Sequence, residues 1–380
     1  MAERINIQPS MFRWARLRGG LQVEDLAAVF TRYPDWESGR ALPTMRQLEK
    51  FAKRTRTPLG YLFLDRPPEL HLPISDFRTV ADAEVQDPSP DLLETIHVMQ
   101  MRQDWAREWL IDAGAEPLEF VASLNLDIQV QPAAEAMRRA LRMRPDWASL
   151  ETSWSAALGV LVDLIEDAGV MVMASGIVGD DTSRVLSVDE FRGFVLVDEY
   201  APLVFINNTD AKSAQMFTLA HELAHVWLGQ EGVSNLDHTI PLGNTVERLC
   251  NQIAAEFLVP RASFEAAWRQ FAGRQDRIEA VARQFKVSRV VAARRALDLD
   301  SISRKEFFDY YESIQASEWR TSSAGGNYYN TKRRRLGERF SDLVLGAVAS
   351  GHLAYKDAYR LTGLRGQTFQ RYTEKFGGSR

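Results

Sequence analysis

Two histidines four residues apart bracket a glutamate in His221-Glu222-Leu223-Ala224-His225, inside the apolar run FTLAHELAHVWLG at 217–229. A helix turns about 100° per residue, so positions i and i+4 share a face. Both imidazoles can then reach one Zn²⁺, while Glu222, one step round, can reach a metal-bound water. Gly229 is a natural stop for the helix. An HExxH pattern arises by chance in a chain of this length at odds of roughly one in a hundred. An incidental match would also leave polar groups among Phe217, Leu219, Leu223, Val226 and Leu228, where burial without partners costs several kcal/mol. The pattern reads as a metal site.

Two histidines do not complete a catalytic zinc site, which takes a third protein ligand and keeps one open position. There is no HExxHxxGxxH extension, since Gly229 and Glu231 follow instead of a third histidine. The next predicted helix, 245–258 (TVERLCNQIAAEFL), offers Glu247 and Glu256. They are nine residues apart, about 900° of turn, and so lie on opposite faces. Glu247 shares its face with Asn251 and Ala254, whose small size lets this helix approach the first. That favours Glu247 as the third ligand and makes Glu256 a surface carboxylate near the helix end. Cys250 reads as a small buried residue. His238, in the predicted loop 230–244, is a candidate donor to an oxyanion, set against the plainer reading of a solvated side chain.

The surrounding chain has the composition of an ordinary soluble protein, 45% hydrophobic and 26% charged over 380 residues, with length for two or three domains. A single cysteine excludes an intrachain disulfide and points to a reducing cytoplasm. No apolar run reaches the roughly 18 residues of a membrane span, and the start, MAERINIQPS, lacks the apolar centre of a signal peptide. The net charge of −5 is unevenly spread. Residues 1–70 carry 12 Lys/Arg against 8 Asp/Glu, residues 330–380 carry 11 against 4, and the middle carries 23 against 39. Basic ends suit contact with nucleic acid or with the acidic middle itself.

Short helices are expected over 10–64, with Leu17, Leu21, Val23, Leu26, Ala27, Phe30, Trp36, Leu42, Leu48, Phe51 and Ala52 forming a small core. A proline-rich connection, 66–90, leads into helices at 91–112, 131–143 and 153–168. The valine-rich runs 170–173, 194–197 and 203–206 read as strands of a small sheet. Beyond the second ligand helix, short helices are expected at 262–272, 276–285 and 288–297. The last two have a helix-turn-helix look around Val287-Ser288, with Arg289, Arg294 and Arg295, although packing beside the catalytic core accounts for them equally simply. TSSAGGN at 321–327 reads as a linker, followed by two or three helices with a basic run at Lys332–Arg335. The fold class expected is α+β and mostly helical: a small sheet packed with the HExxH helix, flanked by an all-α N-terminal module and a helical C-terminal region. The expected divisions are 1–70, 71–149, 150–300 and 301–380.

Two resemblances add to this reading. LQVEDLAAVF followed by DWESGRALPTMRQLEKFAKRTRTPLGYLF resembles the lambda-repressor-like (XRE) helix-turn-helix over about fifty residues. Only eight residues separate Ala27 from Trp36, and Pro34 is among them, so the groove-reading helix looks truncated. The module reads as a degenerate docking or dimerisation unit, with at most weak DNA binding. HELAH, the preceding DEFRGFVLVDEYAPLVFINNTDAKSAQMFTLA and the following VERLCNQIAAEFLVP resemble the ImmA/IrrE family of zinc metallopeptidases over about 150–300. That resemblance implies a zincin-like site with zinc on His221, His225 and Glu247, and Glu222 acting on the bound water. It also implies cytoplasmic cleavage of a repressor or antitoxin-type partner. The alternative is a DNA-binding regulator or antitoxin whose zinc domain senses or scaffolds. An intact Glu222 favours the enzyme, since a scaffold has no need of it. The sequence leaves substrate, trigger and oligomeric state open.

Overall fold

The structure is a computed structural model that describes residues 3–76, 88–234, 245–315 and 328–378. The predicted linker TSSAGGN and His238 lie outside the described residues, as do 77–87 of the proline-rich connection and 235–244 of the predicted loop. Seventeen helices and one mixed four-stranded sheet make the described part α+β and mostly helical. No described helix is long and apolar enough to cross a membrane. The chain divides into two compact units, Met1–Pro73 with Glu84–His97, and Ile74–Ala83 with Val98–Arg380.

The first unit holds α1 (Pro9–Arg18), α2 (Val23–Ala27), α3 (Tyr33–Glu37), α4 (Met45–Arg54), a 3-10 turn at Leu59–Phe63 and the start of α5 (Pro90–Asp112). Phe12, Leu26, Phe30, Tyr33, Trp36, Leu48 and Phe51 form its core. Thr44 and Gln47 form a reciprocal capping box that starts α4. Pro34 sits in the first turn of α3, where a missing N–H does no harm. Three residues expected in this core are outside it: Leu17 is 57% exposed, Leu42 38%, and Ala27 is only partly buried. On α1 the buried face is Met11, Phe12 and Ala15. Leu17 points about 190° away from their mean direction, while Leu42 lies in irregular chain ahead of α4.

In the second unit α6 (Val130–Ala140) and α7 (Trp154–Asp167) precede β1 (Met171–Ser175), β2 (Gly193–Leu196) and β3 (Leu203–Asn207). Then come α8 (Lys212–Leu228), β4 (Gly232–Ser234) and α9 (Thr245–Leu258). The sheet order is β1-β3-β2-β4, with β1 parallel to β3 and the other pairs antiparallel. Phe194 and Phe205 face each other across β2 and β3 and stack at 4.9 Å. β4 falls in the run 230–244 that the sequence marks as loop. Gly-Val-Ser is too short to show alternation, and the strand owes its place to pairing with β2. The outer side of β4 is not bare, because the Val233 N–H donates to the Ser75 carbonyl at 3.0 Å.

Helix α8 is the centre of this unit. Every residue from Gln215 to Leu228 is buried, and the helix packs on β2, β3, α7 and α9. It ends at Gly229 in the left-handed conformation (φ 66°), where a Cβ would also meet Ala122 at 2.7 Å. Two carbonyls of its last turn, Val226 and Trp227, accept N–H bonds from Ala122 and Leu124 at 3.0 Å each. A helix end so deeply buried needs such partners.

The remaining helices are α10 (Arg261–Gln270), α11 (Arg277–Phe285), α12 (Arg289–Asp298), α13 (Arg304–Gln315), α14 (Tyr328–Leu336), α15 (Glu338–Ala349), α16 (Tyr355–Thr362) and α17 (Gly366–Phe376). Helix α14 packs on β1. Gly337 then turns the chain into α15 at φ 77°, so close to β1 that a Cβ would lie 2.7 Å from the Val172 carbonyl oxygen. Glu166, at the end of α7, accepts from the backbone N–H groups of Glu338 and Arg339 at 3.2 Å and caps α15. Burial raises its carboxyl to about 7, although these N–H groups and that of Val172 favour the charged form.

Glu256 corrects an expectation. It is 8% exposed, not a surface carboxylate. It pairs with Arg295 of α12 and accepts the Arg261 N–H at 2.9 Å, while Arg295 Nε donates to the Val259 carbonyl at 3.0 Å. The face of α9 turned from Glu247 meets α12 instead of solvent, a tertiary contact that helical periodicity cannot show. Removing one partner of a buried ion pair costs about 3–5 kcal/mol. Arg295→Ala should therefore lower the unfolding free energy by about that amount in urea titration. A midpoint equal to wild type would contradict the role given to this pair.

Candidate active site

His221 and His225 stand one turn apart on α8, and α9 brings Glu247 across to them. The carboxylate lies 3.2 Å from His221 Nε2 and 2.9 Å from His225 Nε2. The two Nε2 atoms are 3.1 Å apart. One donor atom from each residue falls within a 4.8 Å cluster, and all three side chains are buried. Of the two glutamates of α9, Glu247 lies beside the histidines, whereas Glu256 lies beside Arg295.

The chemistry of the donor set suits a metal ion. Asn251, one turn on from Glu247, has its Oδ1 2.9 Å from His221 Nδ1. With the ring proton on Nδ1 donated to that amide oxygen, the Nε2 lone pair is left to face the cluster. Two imidazole nitrogens and a carboxylate gathered in this way make a three-ligand set that could hold a metal ion. The sequence marks Asn251 only as a small residue on the same face as Glu247 and as the last position of an E-x-x-x-N spacing. Its role was available in the i, i+4 spacing from Glu247 but needed the helix pairing to become visible.

Burial disfavours the charged form of Glu247, yet the two imidazoles more than reverse this and bring its carboxyl down to about 2. Burial likewise opposes protonation of His221, and Glu247 overcomes it so that its pKa rises. For His225 burial prevails and the pKa falls. Cys250 is fully buried and its thiol is pushed well up by desolvation, as suits a packing residue.

Glu222 is fully buried beside the cluster and is not part of it. Desolvation raises its carboxyl to about 8; His221 acts in the opposite sense, and Glu247 adds to the rise. Neither oxygen meets a donor at full hydrogen-bonding geometry among the described residues. The nearby Ser234 hydroxyl is the polar group that favours its charged form. That hydroxyl also lies 3.5 Å from His221 Nε2. Ser234 was missed in the sequence because nothing marks one serine in a run read as loop. Gly193 of β2 forms the wall opposite: a Cβ there would lie 3.0 Å from Glu222 Oε1 and 2.7 Å from Thr218 Cγ2. Only glycine lets β2 run this close to α8.

Comparison with known families agrees with this geometry. Residues 165–297 match the IrrE N-terminal-like domain, a peptidase family (Peptidase_M78). The match encloses all three clustered residues and Glu222. Residues 336–375 match a domain of unknown function (DUF8813). No curated protein matches the chain.

Zinc analysis of the purified protein should find about one ion per chain, as a three-ligand site requires. His221→Ala and His225→Ala should each lose most of it. Asn251→Ala should keep the ligands but weaken zinc affinity about 10–100-fold, the usual effect of removing a ligand's orienting partner. Full occupancy in both histidine variants would contradict the assignment.

Proposed function

We propose that this protein is a zinc-dependent endopeptidase of narrow specificity, acting in the cytoplasm on a repressor or antitoxin-type partner. The peptidase is assigned to 150–300, with a degenerate helix-turn-helix docking module at 1–70, a helical connection at 71–149 and a basic helical region at 301–380. The observation that carries the reading is Glu222. It is a buried carboxylate without a full hydrogen bond among the described residues, set beside a His–His–Glu cluster. Burying such a group costs several kcal/mol, and a sensor or scaffold gives it no task.

His221, His225 and Glu247 would hold the ion. Zn²⁺ there supplies a Lewis acid that polarises a peptide carbonyl and makes water a nucleophile near neutral pH. The chain's own residues do the remainder. Glu222 takes a proton from the attacking water and passes it to the departing amine. Its apolar surroundings give it a proton affinity above that of a solvated carboxylate, as suits a group that must both accept and release. Asn251 holds His221 in orientation, and Gly193 leaves Glu222 the space to reach the reacting atoms. The narrow specificity and the kind of partner rest on the family resemblance over 150–300.

Glu222→Gln keeps the size of the side chain and removes the base. Zinc content and partner capture should remain near wild type, while cleavage of the captured partner should fall at least about a hundredfold. Glu247→Gln should instead weaken zinc binding, since a neutral amide replaces an anionic ligand. A Glu222→Gln protein that cleaves as well as wild type would overturn the peptidase reading.

A further inference from the structure

The matched domain of unknown function is a three-helix unit, α15 to α17, and its last two helices have a specific burial pattern. Helix α16 ends at Thr362, and Gly363 follows in the left-handed conformation at φ 74°. Gly363, Leu364 and Arg365 make a three-residue turn into α17. The inward side is Ala358, Leu361, Thr362, Leu364, Phe369 and Tyr372, each no more than 4% exposed. Phe369 packs edge-on to Tyr359 at 5.3 Å, and Tyr372 shares a 2.7 Å hydroxyl contact with Ser341 of α15. Two helices joined by a short glycine-containing turn and backed by a third are the makings of a helix-turn-helix.

The outward side of α17 is the informative one. Gln367, Gln370 and Arg371 are exposed on the first two turns of α17, and Arg365 is exposed at the residue just before it; the Gln370 amide donates to Glu374 at 3.2 Å, an exposed contact on the same helix. In a helix-turn-helix the N-terminal half of the second helix meets base edges in the major groove. Arginine and glutamine are the side chains that read guanine and adenine there by paired hydrogen bonds. Arg365 and Arg371 have no ion pair or hydrogen bond from their side chains among the described residues.

Several other basic side chains are already engaged. Lys332 and Arg335 bind Asp180 at 2.6 and 3.5 Å, and Arg333 binds Asp342 at 3.0 Å. In the other helix-turn-helix-like pair, α11–α12, Arg294 binds Asp298 and Arg295 is buried on Glu256. In the N-terminal unit α3 has five residues, buries Tyr33 and Trp36, and commits Glu37 to Arg16.

We propose that residues 338–376 bind double-stranded DNA, with α17 in the major groove and Arg365, Gln367, Gln370 and Arg371 facing the bases. This function is separate from the zinc site and stands whether or not the peptidase reading does.

The test uses the full chain and a random-sequence pool of DNA duplexes about 30 base pairs long, enough for about three helical turns. Wild type should bind the pool with an affinity that falls steeply with salt, and rounds of selection should enrich a short motif. Arg365→Ala/Arg371→Ala should weaken binding to that motif at least about tenfold. Zinc content and unfolding midpoint should stay unchanged, because both residues are exposed. Arg365→Lys/Arg371→Lys should restore salt-dependent binding but not motif preference, since lysine lacks the paired donors. Arg46→Ala/Lys50→Ala, which removes two exposed charges from α4, should change little. The proposal is overturned by no duplex binding at low salt, by undiminished binding in the α17 variant, or by equal loss in the α4 variant. Tighter binding of an RNA pool than of the DNA pool overturns it too.

Discussion

The desolvation of four polar side chains governs this fold. His221, Glu222, His225 and Glu247 are all buried within the second unit. Such groups are tolerated in an apolar interior only when they satisfy one another or a bound ion. Much of the surrounding architecture follows from keeping them dry and in place. The helix that carries three of them is enclosed on every side, its last carbonyls are satisfied by a neighbouring loop, and a glycine strand lies against its acid. The site is thus an interior with chemistry in it, more than a surface with residues on it.

What was legible in the sequence was whatever a regular period encodes. The i, i+4 histidines, the opposition of Glu247 and Glu256 on one helix, the three valine-rich strands and the limits of α9 are all encoded by such periods. Features set by partners distant in the chain are not. β4 is a strand because β2 offers it hydrogen bonds. Ser234 meets His221 because β4 turns it inward. Glu256 is buried because α12 happens to lie on its face. Leu17 and Leu42 erred in the other direction: hydrophobic type was visible, but the direction of one and the irregular backbone of the other were not.

Charge shows the same division. The sequence allowed that the basic C-terminal region either met nucleic acid or met the acidic middle. The structure assigns part of it to the second possibility, since Lys332 and Arg335 both reach Asp180. Counting cations along a chain says nothing about which are already neutralised. The distinction between Arg335 and Arg371 is made by neighbours, not by composition.

The cap that Glu166 places on α15 joins two separately matched stretches of chain. Glu166 lies at the beginning of one, and Gly337 and Glu338 at the beginning of the other. Their hydrogen bonds are made by backbone N–H groups and allowed by a glycine conformation, while the charges of Glu338 and Arg339 act on the same carboxylate. A recombination that carried the first stretch into a new setting would strand a buried carboxylate, and one that carried the second would leave a helix end uncapped. Here the units of inheritance and the units of folding have different borders, and a short run of main chain keeps them in step.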